Sequence, residues 1–208
     1  MSHRRLAVLP VLVAVVAVGA SGCGSAAAAV QVDDESIGRQ DFEDQLDLVY
    51  DNDDLRSVLF GDVDRRQLRD EGGPRGSYRQ EYVGAMVTLQ VQSMVIPRVL
   101  RDEGLEVSAR DRARVVRRVD RRAPDAFDGV PEDVRDRYLD AFAGIERLRS
   151  ELDEDELGSA VGEAMRGADV AVDSRYGRWD ADDVTVAPPP GPAGSDDDGA
   201  TGTGRRSR

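Results

Sequence analysis

Residues 77–116 read SYRQEYVGAMVTLQVQSMVIPRVLRDEGLEVSARDRARVV, and their pattern decides the fold. Val83, Val87, Val91, Val95 and Val99 recur every four residues, while Met86, Met94 and Leu100 widen the stripe. This is a helical period with an apolar face too broad for a single neighbour. It predicts a helix over residues 77–103, roughly 40 Å long at 1.5 Å per residue. Gly104 follows as the residue beyond the cap, where a left-handed turn costs glycine least. Leu105 and Val107 form a short extended bridge. Ser108 then caps a second helix, with Asp111 three residues on as its capping-box partner. Inside the first helix, Pro97 lacks an amide hydrogen and crowds the Ser93 carbonyl, which predicts a kink or a division into two helices.

The charge-free stretch 82–97 invites a membrane reading, but sixteen residues reach only about 24 Å, and Gln90, Gln92 and Ser93 interrupt them. A buried core helix fits better. Met86 and Met94 are candidates for an adaptable client surface, although methionines at helical spacing more often fill a core. The second helix carries Arg110, Arg112, Arg114, Arg117, Arg118, Arg121 and Arg122 against Asp111 and Asp120, a local excess of five positive charges. Its plain reading is a solvated face paired with acidic runs such as residues 151–156. The sharper reading makes Arg110, Arg114, Arg117, Arg118 and Arg121 a contact for anionic headgroups or acidic client segments.

Outward toward the carboxy terminus, Pro124 stops the arginine helix, and Pro131, with Glu132 and Asp133 behind it, starts another. Val134, Tyr138, Phe142, Ile145, Leu148 and Leu152 give that helix one apolar stripe. A weaker helix over 157–166 ends at Gly167, and Val170-Ala171-Val172 alternates as a strand. Outward toward the amino terminus, Val30-Gln31-Val32 alternates, Asp33-Asp34 is turn chemistry, and Ser36-Ile37 returns as a second strand. Phe42, Leu46 and Val49 then mark a helix with Asp41 in its first turn. Asp51-Asn52-Asp53-Asp54 resembles a calcium loop only superficially. Leu55 and Arg56 fall where a ligand and a glycine are required, so a helix end or loop is the better reading. Gly72-Gly73-Pro74-Arg75-Gly76 is the plainest loop signal, with mobility expected.

Three strings carry a family resemblance. They are the long apolar helix with Gly104-Leu105-x-Val107-Ser108, the opening Val30-x-Val32 with Ile37 and Arg39-x-Asp41-Phe42-Glu43, and the closing Val170-x-Val172-x-x-Arg175-Tyr176-Gly177-x-Trp179. Together, over residues 30–180, they resemble the amino-terminal chaperone domain of the SurA and PrsA family, as carried by actinobacterial lipoproteins. The resemblance implies a mainly α fold, a helical domain closed by a small β-sheet in which the late strand pairs with residues 30–37. It casts Tyr176 and Trp179 as a clamp over that sheet, or else as a client or partner surface. Many relatives also hold a parvulin prolyl-isomerase domain with a histidine-centred site, and no such domain fits here. Relatives wrap this segment around a second domain, so a second copy or an envelope partner is expected to cover part of the apolar surface.

The amino terminus has the layout of a secretory signal: Arg4 and Arg5, an apolar run over 6–18, then small residues. Ala20-Ser21-Gly22-Cys23 resembles the bacterial lipobox, which implies lipid on the sulfur and amine of Cys23 and a membrane anchor. Plain secretion with a free thiol is the alternative, and a lone thiol in an oxidising compartment invites unwanted pairing. The organisation expected is a signal peptide over 1–22, a lipidated tether over 23–29, the helical domain over 30–186 and a disordered tail over 187–208. The Pro188–Pro190 run, Asp196–Asp198 and the Gly/Thr alternation of that tail cannot bury a core.

Removing residues 1–22 deletes Arg4 and Arg5 and no acid, taking the formal charge from −13 to −15. The same step removes His3, the single histidine. Histidine-dependent triads and the usual zinc sites are thereby excluded. No dinucleotide or phosphate-loop fingerprint occurs, so neither a metal nor a cofactor is expected. An acidic chain also lacks the basic field that nucleic acid requires. The expected function is non-catalytic: an extracytoplasmic, membrane-anchored protein that binds unfolded or exported polypeptides, or else an adaptor that docks one folded envelope partner.

Overall fold

The computed structural model describes residues 28–70 and 77–189. The expectations for the signal, Cys23, the glycine-rich loop and most of the tail concern residues outside that set. The chain runs through β1 (Ala28–Val32), β2 (Glu35–Gly38), α1 (Arg39–Asp51), α2 (Asp53–Phe60), a 3-10 turn (Arg65–Gln67), α3 (Gln80–Asp102), α4 (Ala109–Arg122), α5 (Glu132–Arg149) and α6 (Glu154–Gly167), and ends with β3 (Val170–Val172), β4 (Arg178–Asp180) and β5 (Thr185–Ala187). The fold is mainly helical, with a small antiparallel sheet built from the start and end of the described chain.

α3 is the axis. Met86, Val87, Val91 and Gln90 have no exposed surface, because β1, β5, α5 and α6 all pack against this helix. α3 is long and apolar enough to cross a membrane by composition, yet most of its apolar window is enclosed by protein. Of the kink or division expected at Pro97, the division does not occur: α3 is one continuous helix. A helix-interior proline costs about 3 kcal/mol. Pro97 itself faces outward, while Val95, Ile96, Val99 and Leu100 around it are buried. At about 1.5–3 kcal/mol for each such side chain, their burial outweighs the lost bond. The helix end follows the sequence reading. Gly104 has φ +67°, its N–H donates to the Arg101 carbonyl at 3.1 Å, and the Leu105 N–H donates to the Leu100 carbonyl at 2.7 Å. That bond pair is the Schellman motif.

The sheet has the order β2-β1-β3. Val30 lies opposite Val172, and Val32 opposite Val170, antiparallel. Val30 and Val32 point into the core, while Gln31 faces solvent. Beyond these paired residues, the Asp33 N–H donates to the Asp169 carbonyl and the Asp173 N–H to the Ala29 carbonyl, both at 2.9 Å. Arg39 pairs with Asp173 at the same seam. Late and early chain are thus joined on backbone and side chains alike.

Several boundaries differ from the sequence reading. Ala28 and Ala29 belong to β1, and Ala29 is fully buried, so the folded body begins inside the expected tether. α2 was not expected. Asn52 both ends α1 and caps α2, its Oδ1 accepting the Leu55 N–H at 2.8 Å. Pro131 is the cap of α5 rather than its first helical residue. α6 starts three residues early, under a full capping box of Asp153 and Glu156. β4 and β5 form a closing hairpin that reaches Ala187, one residue beyond the expected domain. Gly177 permits that hairpin: its φ is +126°, and an added Cβ would sit 2.5 Å from the Ala187 carbonyl oxygen.

Candidate functional site: a groove between α2, α4 and α5

α4 has little to hold it. Of its fourteen residues only Val115 and Val119 are buried, and it packs chiefly on α5. Its start is fixed by the Ser108–Asp111 capping box, both arms of which form. Hydrogen bonds from the Ser108 side chain and backbone hold the Asp111 carboxyl below its usual range. Val115 and Val119, with Ala123, Ala126, Leu139 and Ala143, make a second small core separate from the one around α3. The Asn52 side-chain amide donates to the Ala126 carbonyl at 3.1 Å, which ties the α4–α5 connection to the start of α2.

These constraints leave an open groove of about 330 Å³. Its floor is Val115, Val119 and the half-buried Val58, Phe142 and Ile145; its rim is Arg118, Arg122, Arg149 and Glu146. Both Arg118 Nη atoms donate to the Glu146 carboxylate, Nη2 to Oε2 at 2.8 Å. Arg149 approaches the same carboxylate at 3.7 Å. The Arg118 hydrogen bonds, assisted by nearby guanidinium charge, hold Glu146 below its ordinary 4.5 and raise Arg118 in turn. Arg122 lines the groove with no ion pair among the described residues.

The arginines expected to form a contact face are all exposed. Arg114 pairs with Asp111 at 3.6 Å and Arg118 with Glu146, while Arg110, Arg117 and Arg121 make no ion pair among the described residues. The acids that meet this helix lie on α5, where Arg112 contacts Asp136 at 2.7 Å and Asp140 at 3.3 Å. The expected partner run 151–156 instead serves its own neighbourhood. Glu151 pairs with Arg147, and Asp153 and Glu156 cap α6.

The chain matches no family model, no curated protein and no solved structure.

The expected client residues fare differently. Met86 is fully buried and belongs to the core, so it offers no client surface. Met94 is half-buried against the same core. Tyr176 is 6% exposed, with its ring edge-on to Phe42 at 4.8 Å and its hydroxyl donating to Glu43 Oε1 at 2.9 Å. It packs on α1 within the main core and is likewise no open platform. Burial, assisted by Glu43, pushes its phenol up to about 12. Trp179 is half-buried on β4, its indole N–H enclosed without an acceptor among the described residues.

The aspartates of residues 51–54 are spent structurally. Asp51 accepts from Arg65, Asp53 from Arg56 and Asp54 from the Asp125 N–H. Among the described residues, no group of three or more carboxylates, histidines and cysteines is arranged to hold a metal.

The groove residues that sequence reasoning missed are Val58, Glu146 and Arg149, Arg122 as a contact residue, and Phe142 and Ile145 as surface rather than core. One signal was available for Val58: Asn52 as a cap followed by Leu55, Val58 and Leu59 at helical spacing.

Proposed function

We propose that this chain is a lipid-anchored, extracytoplasmic, chaperone-like protein that holds unfolded or newly exported polypeptides by surface contact, without chemistry. The reading draws on the signal-like start with Cys23 and on the SurA/PrsA resemblance of residues 30–180. The observation that carries it is the groove over Val58, Phe142 and Ile145. Apolar side chains there stay half-open to water beside flexible guanidinium groups, which suits weak, adaptable contact with many sequences.

An aggregation assay tests the reading. The full chain at stoichiometric amounts should slow light scattering by several unrelated unfolded proteins, and Ile145→Ser should weaken that effect. Slowing of none would sink the proposal and favour an adaptor for one folded envelope partner. For the anchor, Cys23→Ser should release the protein from the membrane fraction, whereas unchanged retention would remove the lipid link. A Pro-containing test peptide should isomerise no faster with the protein than without it.

A further inference from the structure

We infer that the groove between α2, α4 and α5 selects polypeptide segments in which a few large apolar side chains are flanked by carboxylates. This rests on the polypeptide-holding reading and narrows it to a substrate class. The protein as a whole is acidic, at −13, which alone would favour basic clients. At physiological ionic strength, however, exposed charges act over only about 8 Å. The sign of the rim therefore decides what enters, not the total charge. That rim holds three guanidinium groups, Arg118, Arg122 and Arg149, against the single carboxylate of Glu146. Arg110, Arg117 and Arg121 extend the positive field along α4 with no ion pair among the described residues.

Guanidinium is suited to this role, because its planar fork meets a carboxylate with two parallel hydrogen bonds. Arg118 already makes such a pair with Glu146, which shows the geometry available on this rim. Between the charges the floor supplies Phe142, Ile145 and Val58, which stay half-buried among the described residues. A volume of about 330 Å³ admits a few side chains but no folded body. An acidic amphipathic segment satisfies both halves of the site. A basic one would bring its charges against Arg122 and Arg149.

The test uses three fluorescent peptides with one shared apolar core and flanks of Glu, Gln or Arg, with binding to the full chain followed by anisotropy. At low salt the Glu-flanked peptide should bind about tenfold tighter than the Arg-flanked one, and the gap should close in concentrated salt. Arg122→Gln with Arg149→Gln should remove most of that preference while leaving the Gln-flanked peptide unchanged. Ile145→Ser should weaken all three. Equal binding of all three peptides overturns the selectivity and leaves the holding function standing. Binding of none, with aggregation also unaffected, overturns both. If the double arginine variant loses binding only to phosphatidylglycerol vesicles and not to the Glu-flanked peptide, the face meets lipid and the inference is wrong.

Discussion

At Gly144 α5 packs closely on α3, and Gly144→Ala measures how tightly that seam is set. A Cβ built there would lie 2.4 Å from Ile96 Cγ2 and 3.1 Å from Leu100 Cδ1. Ile96 is 1% and Leu100 7% exposed, so neither side chain has free space to retreat into. Two effects oppose each other. Replacing glycine by alanine inside a helix stabilises by about 1 kcal/mol. Forcing a methyl into a closed core costs roughly 1–3 kcal/mol. The expected net is a loss of about 1 kcal/mol, or a fall of roughly 2–4 °C in Tm for a chain of this size. In an Ile96→Ala background the obstructing methyl is gone. There the same substitution should stabilise by about 1 kcal/mol, giving a coupling near 2 kcal/mol in the double-mutant cycle. Chemical denaturation of the four proteins reads this directly. If Gly144→Ala stabilises equally in both backgrounds, α5 does not rest on Ile96, and the placement of the groove residues Phe142 and Ile145 along α5 loses its support.

Three further outcomes are expected. Removing the capping carboxylate by Asp153→Ala, or the hydroxyl by Ser108→Ala, should each cost about 1 kcal/mol in denaturant melts, and a neutral result would deny that those helix starts are fixed. In alkali, burial holds the Tyr138 phenol up to about 12 and Tyr82 higher still. Their folded values exceed the unfolded one of 10.0, so this stabilisation is complete below the unfolded value and disappears as pH rises through the folded ones. Phenolate absorbance should accordingly lag and then rise together with unfolding, and a smooth rise centred on the unfolded value would refute the burial. In acid the sign reverses. Glu146 is held below 4.5, so the stability that it contributes is present above that value and fades as pH falls through its lower folded one. Arg118→Gln should flatten this part of the acid melting curve, and an unchanged curve would deny the pairing.

The axis of the fold was legible because valines at a four-residue spacing admit little else. Gly104 and Ser108 announced their roles because a left-handed turn and a capping hydroxyl are local chemistry. The closure by Val170–Val172 came from a resemblance and is realised residue by residue opposite Val30–Val32. A division of α3 at Pro97 was expected because a local penalty was read without the burial that offsets it. α2 was overlooked because eight residues with an acidic start look like a loop until Asn52 is recognised as a cap. The groove was the least legible feature. Phe142 and Ile145 belong to the apolar stripe of α5 by spacing, and only the thin cover offered by α4 leaves them half-open. No pattern within one helix reports how much its neighbour covers.

Whether polypeptide is held in this groove can be measured by placing a photoactivatable side chain at Ile145 in the full chain, and at the exposed Ser174 as a control, in the presence of an unfolded protein. The account predicts strong crosslinking from position 145 and little from 174. Crosslinking no stronger at 145 than at 174 would contradict it.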